Sequence, residues 1–126
     1  MGQPYQDLQV WQRAVEMSVS VYRLTEGFPR QEMYGLASQL QRASVSVASN
    51  IAEGRGRLTQ GEFRQFLGMA QGSNYEVQTQ IAIVRKLAFA KPEFLNEAEE
   101  LSVEVGRMLS SFIAALGAPK KLGARS

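Results

Sequence analysis

The sequence predicts an all-α chain: an up-down-up-down antiparallel four-helix bundle that assembles into a cyclic homo-oligomer. Three observations carry this. Apolar residues recur every three or four positions, which is the spacing of a helix face, where a strand would show alternation. Helix breakers fall at three places and divide the 126 residues into four segments joined by short links, so consecutive helices run antiparallel. One helix, finally, is apolar over most of its circumference and needs cover on more than one side.

The first helix is expected over residues 8–26, with Asp7 as N-cap and Gly27-Phe28-Pro29 as its stop. The second is expected over 31–53, ended by Gly54-Arg55-Gly56. Thr59 opens the third, over 59–88, with Glu62 three residues on, the spacing of a capping box in which each side chain satisfies the other's backbone N–H. Pro92 suits the first turn of the fourth, over 92–116; Glu93, Glu97, Glu99 and Glu100 lie near its positive end. Gly117 and Pro119 close it, leaving 117–126 as a loose tail of a single domain.

Composition narrows the class. With 44% hydrophobic and 21% charged residues the chain is globular, and its length suits one core. There is no cysteine, hence no disulfide or thiolate metal site, as suits a reducing cytoplasm. The first thirty residues hold no signal-like apolar run, and no segment approaches the roughly 18 apolar residues of a membrane span, so no membrane role is expected. There is no histidine either, which removes Ser-His and Cys-His nucleophile pairs and imidazole acid-base chemistry. A carboxylate metal site would need Glu53, Glu62 and Glu76 to converge unaided. Gly54-Arg55-Gly56 follows a helix, with no strand before it, and reads as a turn. No catalytic residue, cofactor or metal is expected; the chain reads as a binding protein.

The faces supply candidate sites. On the first helix Leu8, Trp11, Val15, Val19 and Tyr22 form one seam, and Val10, Ala14, Met17, Val21 and Leu24 form a second. We read the second as the oligomer interface; cover by steeply crossing helices or by the tail is the alternative. On the second helix Gln39, Arg42, Ser46, Asn50 and Glu53 fall within about 80° of each other, roughly 120° from the core stripe. On the third, Ser73, Glu76 and Gln80 line up with Glu62 beside the core stripe. These polar columns read as a hydrogen-bond network between helices or subunits, or as a ligand-lined groove. Gly61, Gly68 and Gly72 make a narrow face on the third helix, which tight helix contact would use.

The residues also carry a resemblance. Asp7-Leu8 with Trp11, Phe28-Pro29 with Glu32, Tyr34-Gly35-Leu36, and above all Asn50-Ile51-Ala52-Glu53-Gly54 and Gly72-Ser73 with Glu76 resemble the 23S rRNA-intervening sequence proteins over about residues 5 to 116. The resemblance implies a pentameric ring of four-helix bundles, encoded in inserts of ribosomal RNA genes or elsewhere in bacterial genomes, without enzymatic activity. A related branch is the accessory protein of diversity-generating retroelements, which implies a reverse transcriptase and nucleic acid as partners. One departure is Gln41, beside Arg42, where the family often has a basic pair.

The charge map points the same way. Net charge is only +2, yet the antiparallel topology gathers Arg55, Arg57, Lys120, Lys121 and Arg125 at one end, with Arg64 about two turns in and Asp7, Glu53 and Glu62 as the acids nearby. The other end is close to neutral or slightly acidic. Repeated round a ring, the basic end would form a rim that attracts phosphates of RNA or DNA. Two functions are therefore expected: nucleic-acid binding through that rim, or a protein-assembly scaffold with no nucleic-acid role.

Overall fold

The computed structural model describes residues 2–117 in full and the backbone of the last helix as far as Arg125. Four helices, α1 (Gln9–Glu26), α2 (Leu36–Arg55), α3 (Gln60–Leu87) and α4 (Pro92–Arg125), make up the chain, with 3-10 turns at Tyr5–Asp7 and Arg30–Glu32. Among the described residues there is no strand. Each helix packs on its neighbours in the chain and α1 closes the square on α4, while the diagonal pairs do not meet. This is the expected antiparallel bundle.

Local chemistry sets the ends of the helices. Pro4, extended at φ −68° and ψ 160°, starts the first 3-10 turn and draws Asp7 into it, so Leu8 takes the N-cap position expected of Asp7. Pro29 likewise starts the second turn, and the backbone of Gly35 is not helical, which delays α2 from residue 31 to Leu36. Thr59 caps α3, its Oγ1 accepting the Glu62 N–H at 3.1 Å, but among the described residues the Glu62 carboxylate does not return the second bond of the expected capping box. Ala88 ends α3 in the left-handed region, at φ 56° and ψ 37°.

The fourth helix overruns its expected stop. It continues through Gly117 to Arg125, and a Cβ on Gly117 would lie 2.9 Å from the Arg64 guanidinium.

The α1 seam expected at an oligomer interface lies in the core, which also takes Leu8 and packs against Trp11 of the other seam. Val10, Ala14, Met17, Val21 and Leu24, expected at an oligomer interface, are at most 3% exposed and fill the interior of the single chain. Val19 and Tyr22, from the seam expected inside, are 46% and 48% exposed. The chemistry explains the choice. The inner seam is purely aliphatic and thioether, whereas the outer one carries Trp11 and Tyr22, whose polar atoms need a partner when buried. The same core holds Leu40, Val47 and Ile51 of α2, Leu67, Val77 and Ile81 of α3, and Leu95, Val105 and Leu109 of α4. Edge-to-face pairs close the ends, Phe63 on Phe112 at 5.3 Å and Phe28 on Phe89 at 5.0 Å.

Candidate nucleic-acid interface

The link between α2 and α3 builds the basic end. Gly54 is buried where the two helices meet, and a Cβ there would lie 2.5 Å from Phe66 Cβ and 3.2 Å from Phe63 Cδ1. Only glycine lets α2 approach α3 this closely. The Gly56 N–H then closes the helix on the carbonyls of Ala52 and Glu53, and the Arg57 N–H bonds the Gly54 carbonyl at 3.0 Å. Arg55 and Arg57 leave this turn in fixed postures. Arg55 donates from Nε to the Gln3 carbonyl at 2.8 Å and lies over Phe63, 5.3 Å from the ring centre. Arg57 lies over Phe66 at 5.0 Å. One turn into α3, Arg64 donates from Nε to the Ile113 carbonyl at 3.0 Å and rests on Gly117.

Three expected guanidinium groups thus share one end of the bundle. Arg42 is not with them: it stands thirteen residues before Arg55, about 20 Å up the helix, and donates to Ser38 Oγ at 3.0 Å. The side chains of Lys120, Lys121 and Arg125 lie outside the described residues.

The ion pairs among the described residues lie elsewhere. They join Arg13 to Glu16 and Glu104, Arg23 to Glu97, and Arg85 to Glu99. Arg57 and Arg64 take part in none of them. The hydrogen bond that Arg13 donates to Glu16 and the field of Glu104 raise the pKa of Arg13.

The polar columns resolve into one hydrogen-bonded seam and three exposed acids, Glu53, Glu62 and Glu76. Ser46 Oγ meets Ser73 Oγ at 2.9 Å across α2 and α3, and Asn50 Nδ2 donates to the carbonyl and hydroxyl of Ser46. Gln80 Nε2 reaches Gln39 Oε1 at 3.4 Å. Glu53 and Glu76 are exposed and take part in no ion pair among the described residues. Nor do three carboxylates gather anywhere among those residues into a group that could hold a metal ion.

Gly61, Gly68 and Gly72 correct a further expectation, because a Cβ on any of them would meet nothing within 4 Å. The tight contact inside the chain is made by Gly54, Gly106 and Gly117. A buried polar pair also escaped the sequence reading. Asn74 and Ser102 are fully buried and bonded to each other, and Gln71 donates to the Gly106 carbonyl and to Ser110 Oγ. A signal existed: Asn74 sits between Ala70 and Val77, and Ser102 between Ala98 and Val105, each in step with a core stripe.

On the outside, α1 and α2 frame an apolar groove of about 510 Å³ lined by Trp11, Val15, Val19, Tyr22, Val45 and Ala52. Beside it, between α1 and α4, Glu16, Glu97, Glu100 and Glu104 surround Val15, Val19 and Leu101.

Fold and site together define a helical bundle with three arginines at one end and apolar side chains exposed on its outer faces. A model of the 23S rRNA-intervening sequence proteins matches residues 6–111, and the chain belongs to that family. Among solved structures, the fold is similar to that of a protein of unknown function from the S23 ribosomal protein family of Bacteroides thetaiotaomicron VPI-5482. That likeness has a TM-score of 0.76 at 20% sequence identity, over 82% of this chain and 97% of the other. Comparison with curated proteins gave no match. Among the described residues, no helix is long and apolar enough to cross a membrane.

Proposed function

We propose that this chain is a non-catalytic, self-assembling protein that binds the phosphate backbone of RNA or DNA through the end bearing Arg55, Arg57 and Arg64. The observation that carries the reading is the posture of those three guanidinium groups. Each is laid on a ring or a carbonyl of its own bundle, and no ion pair among the described residues engages Arg57 or Arg64. Pre-placed cations lose less side-chain freedom on meeting a phosphate than mobile ones. Self-assembly multiplies the effect, since a single end with few arginines is weak, while a ring repeats it around a rim. The pentamer implied by family resemblance suits this reading, as does a family name that refers to intervening sequences of 23S rRNA.

The test is fluorescence anisotropy with labelled RNA and DNA over a salt series. Backbone binding predicts a linear log-log salt dependence, and Arg57→Ala with Arg64→Ala should flatten its slope by roughly one unit for each phosphate no longer engaged. A slope unchanged in the double variant would remove this end from the account. A second reading, a scaffold for a protein such as a reverse transcriptase with no nucleic-acid role, draws support from the uncharged α1–α2 groove. It predicts capture of that protein after nuclease treatment.

A further inference from the structure

We infer that the arginine-bearing end takes a single strand of nucleic acid, holding one unpaired base between the outward face of the Arg57 guanidinium and the side chain of Leu58. The inference rests on the nucleic-acid binding proposed above and names the form of nucleic acid bound.

Leu58 is the residue that phosphate binding leaves unexplained. It is 96% exposed, whereas the other exposed aliphatic residues among those described reach 55% at most. The turn that carries it is tied on both sides. Before it, the Arg57 N–H bonds the Gly54 carbonyl at 3.0 Å; after it, Thr59 accepts the Glu62 N–H on its hydroxyl and the Phe63 N–H on its carbonyl, each at 3.1 Å. Leu58 is therefore held out at the tip of the α2–α3 link. A leucine gains nothing from a phosphate oxygen and gains from an apolar or π surface that removes it from water.

Its neighbour in the chain supplies the complementary surface. The Arg57 guanidinium lies over the half-buried Phe66 ring, 5.0 Å from its centre, and the residue is otherwise exposed. A guanidinium is planar: its edge donates to phosphate oxygens and its faces stack on π systems. With Phe66 under one face of Arg57, the other is left to solvent one residue away from Leu58. A base out of its own stack fits there, with its face on the guanidinium and an edge against the leucine.

The local charge favours a single strand over a duplex. Between residues 53 and 64 three arginines stand against two exposed glutamates, Glu53 and Glu62. So small an excess draws little from the dense phosphate rows of a duplex, and the base faces of a duplex are closed to Leu58 inside the stack. A single strand offers sparser phosphates to the edges of Arg57 and Arg64, and open base faces to Leu58.

The experiment follows the anisotropy of a labelled strand of mixed sequence, titrated alone and annealed to its complement. At one salt concentration the wild type should bind the single strand roughly five-fold or more tightly than the duplex. Leu58→Ser should abolish that preference while leaving duplex binding and the salt slope unchanged, because no phosphate contact is lost; Leu58→Met should keep it. Arg57→Lys retains the charge without the plane and should lose the preference as Leu58→Ser does. Leu58 is almost wholly exposed, so the helicity of these variants by circular dichroism should match the wild type. Equal wild-type affinity for strand and duplex, or wild-type behaviour of Leu58→Ser, overturns the inference; a salt slope still flattened by Arg57→Ala with Arg64→Ala then leaves phosphate binding standing without it. A wild type that binds neither probe overturns both. A Leu58→Ser variant of lower mass in light scattering assigns the residue to contact between copies and overturns the inference as well.

Discussion

Asn74 and Ser102 exchange two hydrogen bonds in the centre of the bundle: Asn74 Nδ2 donates to the Ser102 carbonyl at 2.9 Å, and Ser102 Oγ returns one to Asn74 Oδ1 at 2.8 Å. Both residues are fully buried, so each satisfies groups that water cannot reach. Ser102→Ala leaves the Asn74 oxygen without its donor, at a cost of about 1–3 kcal/mol. Urea melts should show a lower midpoint with the slope kept. An unchanged midpoint would mean that the pair contributes nothing to holding α3 on α4.

The glycines give opposite expectations by position. At Gly54 a methyl group lies 2.5 Å from the Cβ of Phe66, so Gly54→Ala must force α2 and α3 apart and should cost about 1–3 kcal/mol. At Gly68 there is open space, and Gly68→Ala should stabilise the isolated chain by about 1 kcal/mol through helix propensity alone. Thermal melts check both expectations, and a Gly68→Ala variant less stable than wild type would contradict this account.

These positions also show what could be read before the fold was known. The helix number, the Thr59 cap and the core stripes of α2 and α3 were legible, because capping and periodicity are local and need only nearby residues. The α1 assignment was not. Two seams of similar hydrophobicity lie side by side there, and which one faces inward depends on the neighbouring helices. Trp11 and Tyr22 were the clue, since their polar atoms favour the outside. The glycines were misread for a related reason: Gly61, Gly68 and Gly72 share a face in the sequence, whereas Gly54 and Gly106 show their use only once α3 and α4 are in place. At the basic end, the sequence grouped Arg55, Arg57 and Arg64 through topology, but the rings and carbonyls that orient them come from other elements of the bundle.

Ala88 terminates α3 at φ 56°, a conformation that glycine adopts freely and alanine does not. Its N–H bonds the carbonyls of Val84 and Arg85, so this turn is held by the backbone and the side chain is exposed. Ala88→Gly relieves about 1 kcal/mol of left-handed strain, part of which the more flexible unfolded chain takes back. The melting temperature should rise by a few degrees. A fall would show that the α3–α4 link does not hold this conformation in solution.

Arg64 and Gly117 link the basic end to the fourth helix, and changing the glycine tests posture separately from charge. In Gly117→Ala a methyl group arrives 2.9 Å from Nε and Nη2 of Arg64, which can swing away only by releasing the Ile113 carbonyl. The guanidinium stays in place as a charge but loses its fixed direction. Stability should change by less than about 1 kcal/mol, because the helix gains from alanine roughly what an exposed hydrogen bond loses. Nucleic-acid affinity should nevertheless fall toward that of Arg64→Ala, measured at one salt concentration so that the electrostatic background is equal. Wild-type affinity in Gly117→Ala beside weak binding in Arg64→Ala would show that charge alone matters, and that the seat on Gly117 serves only the packing of α3 against α4.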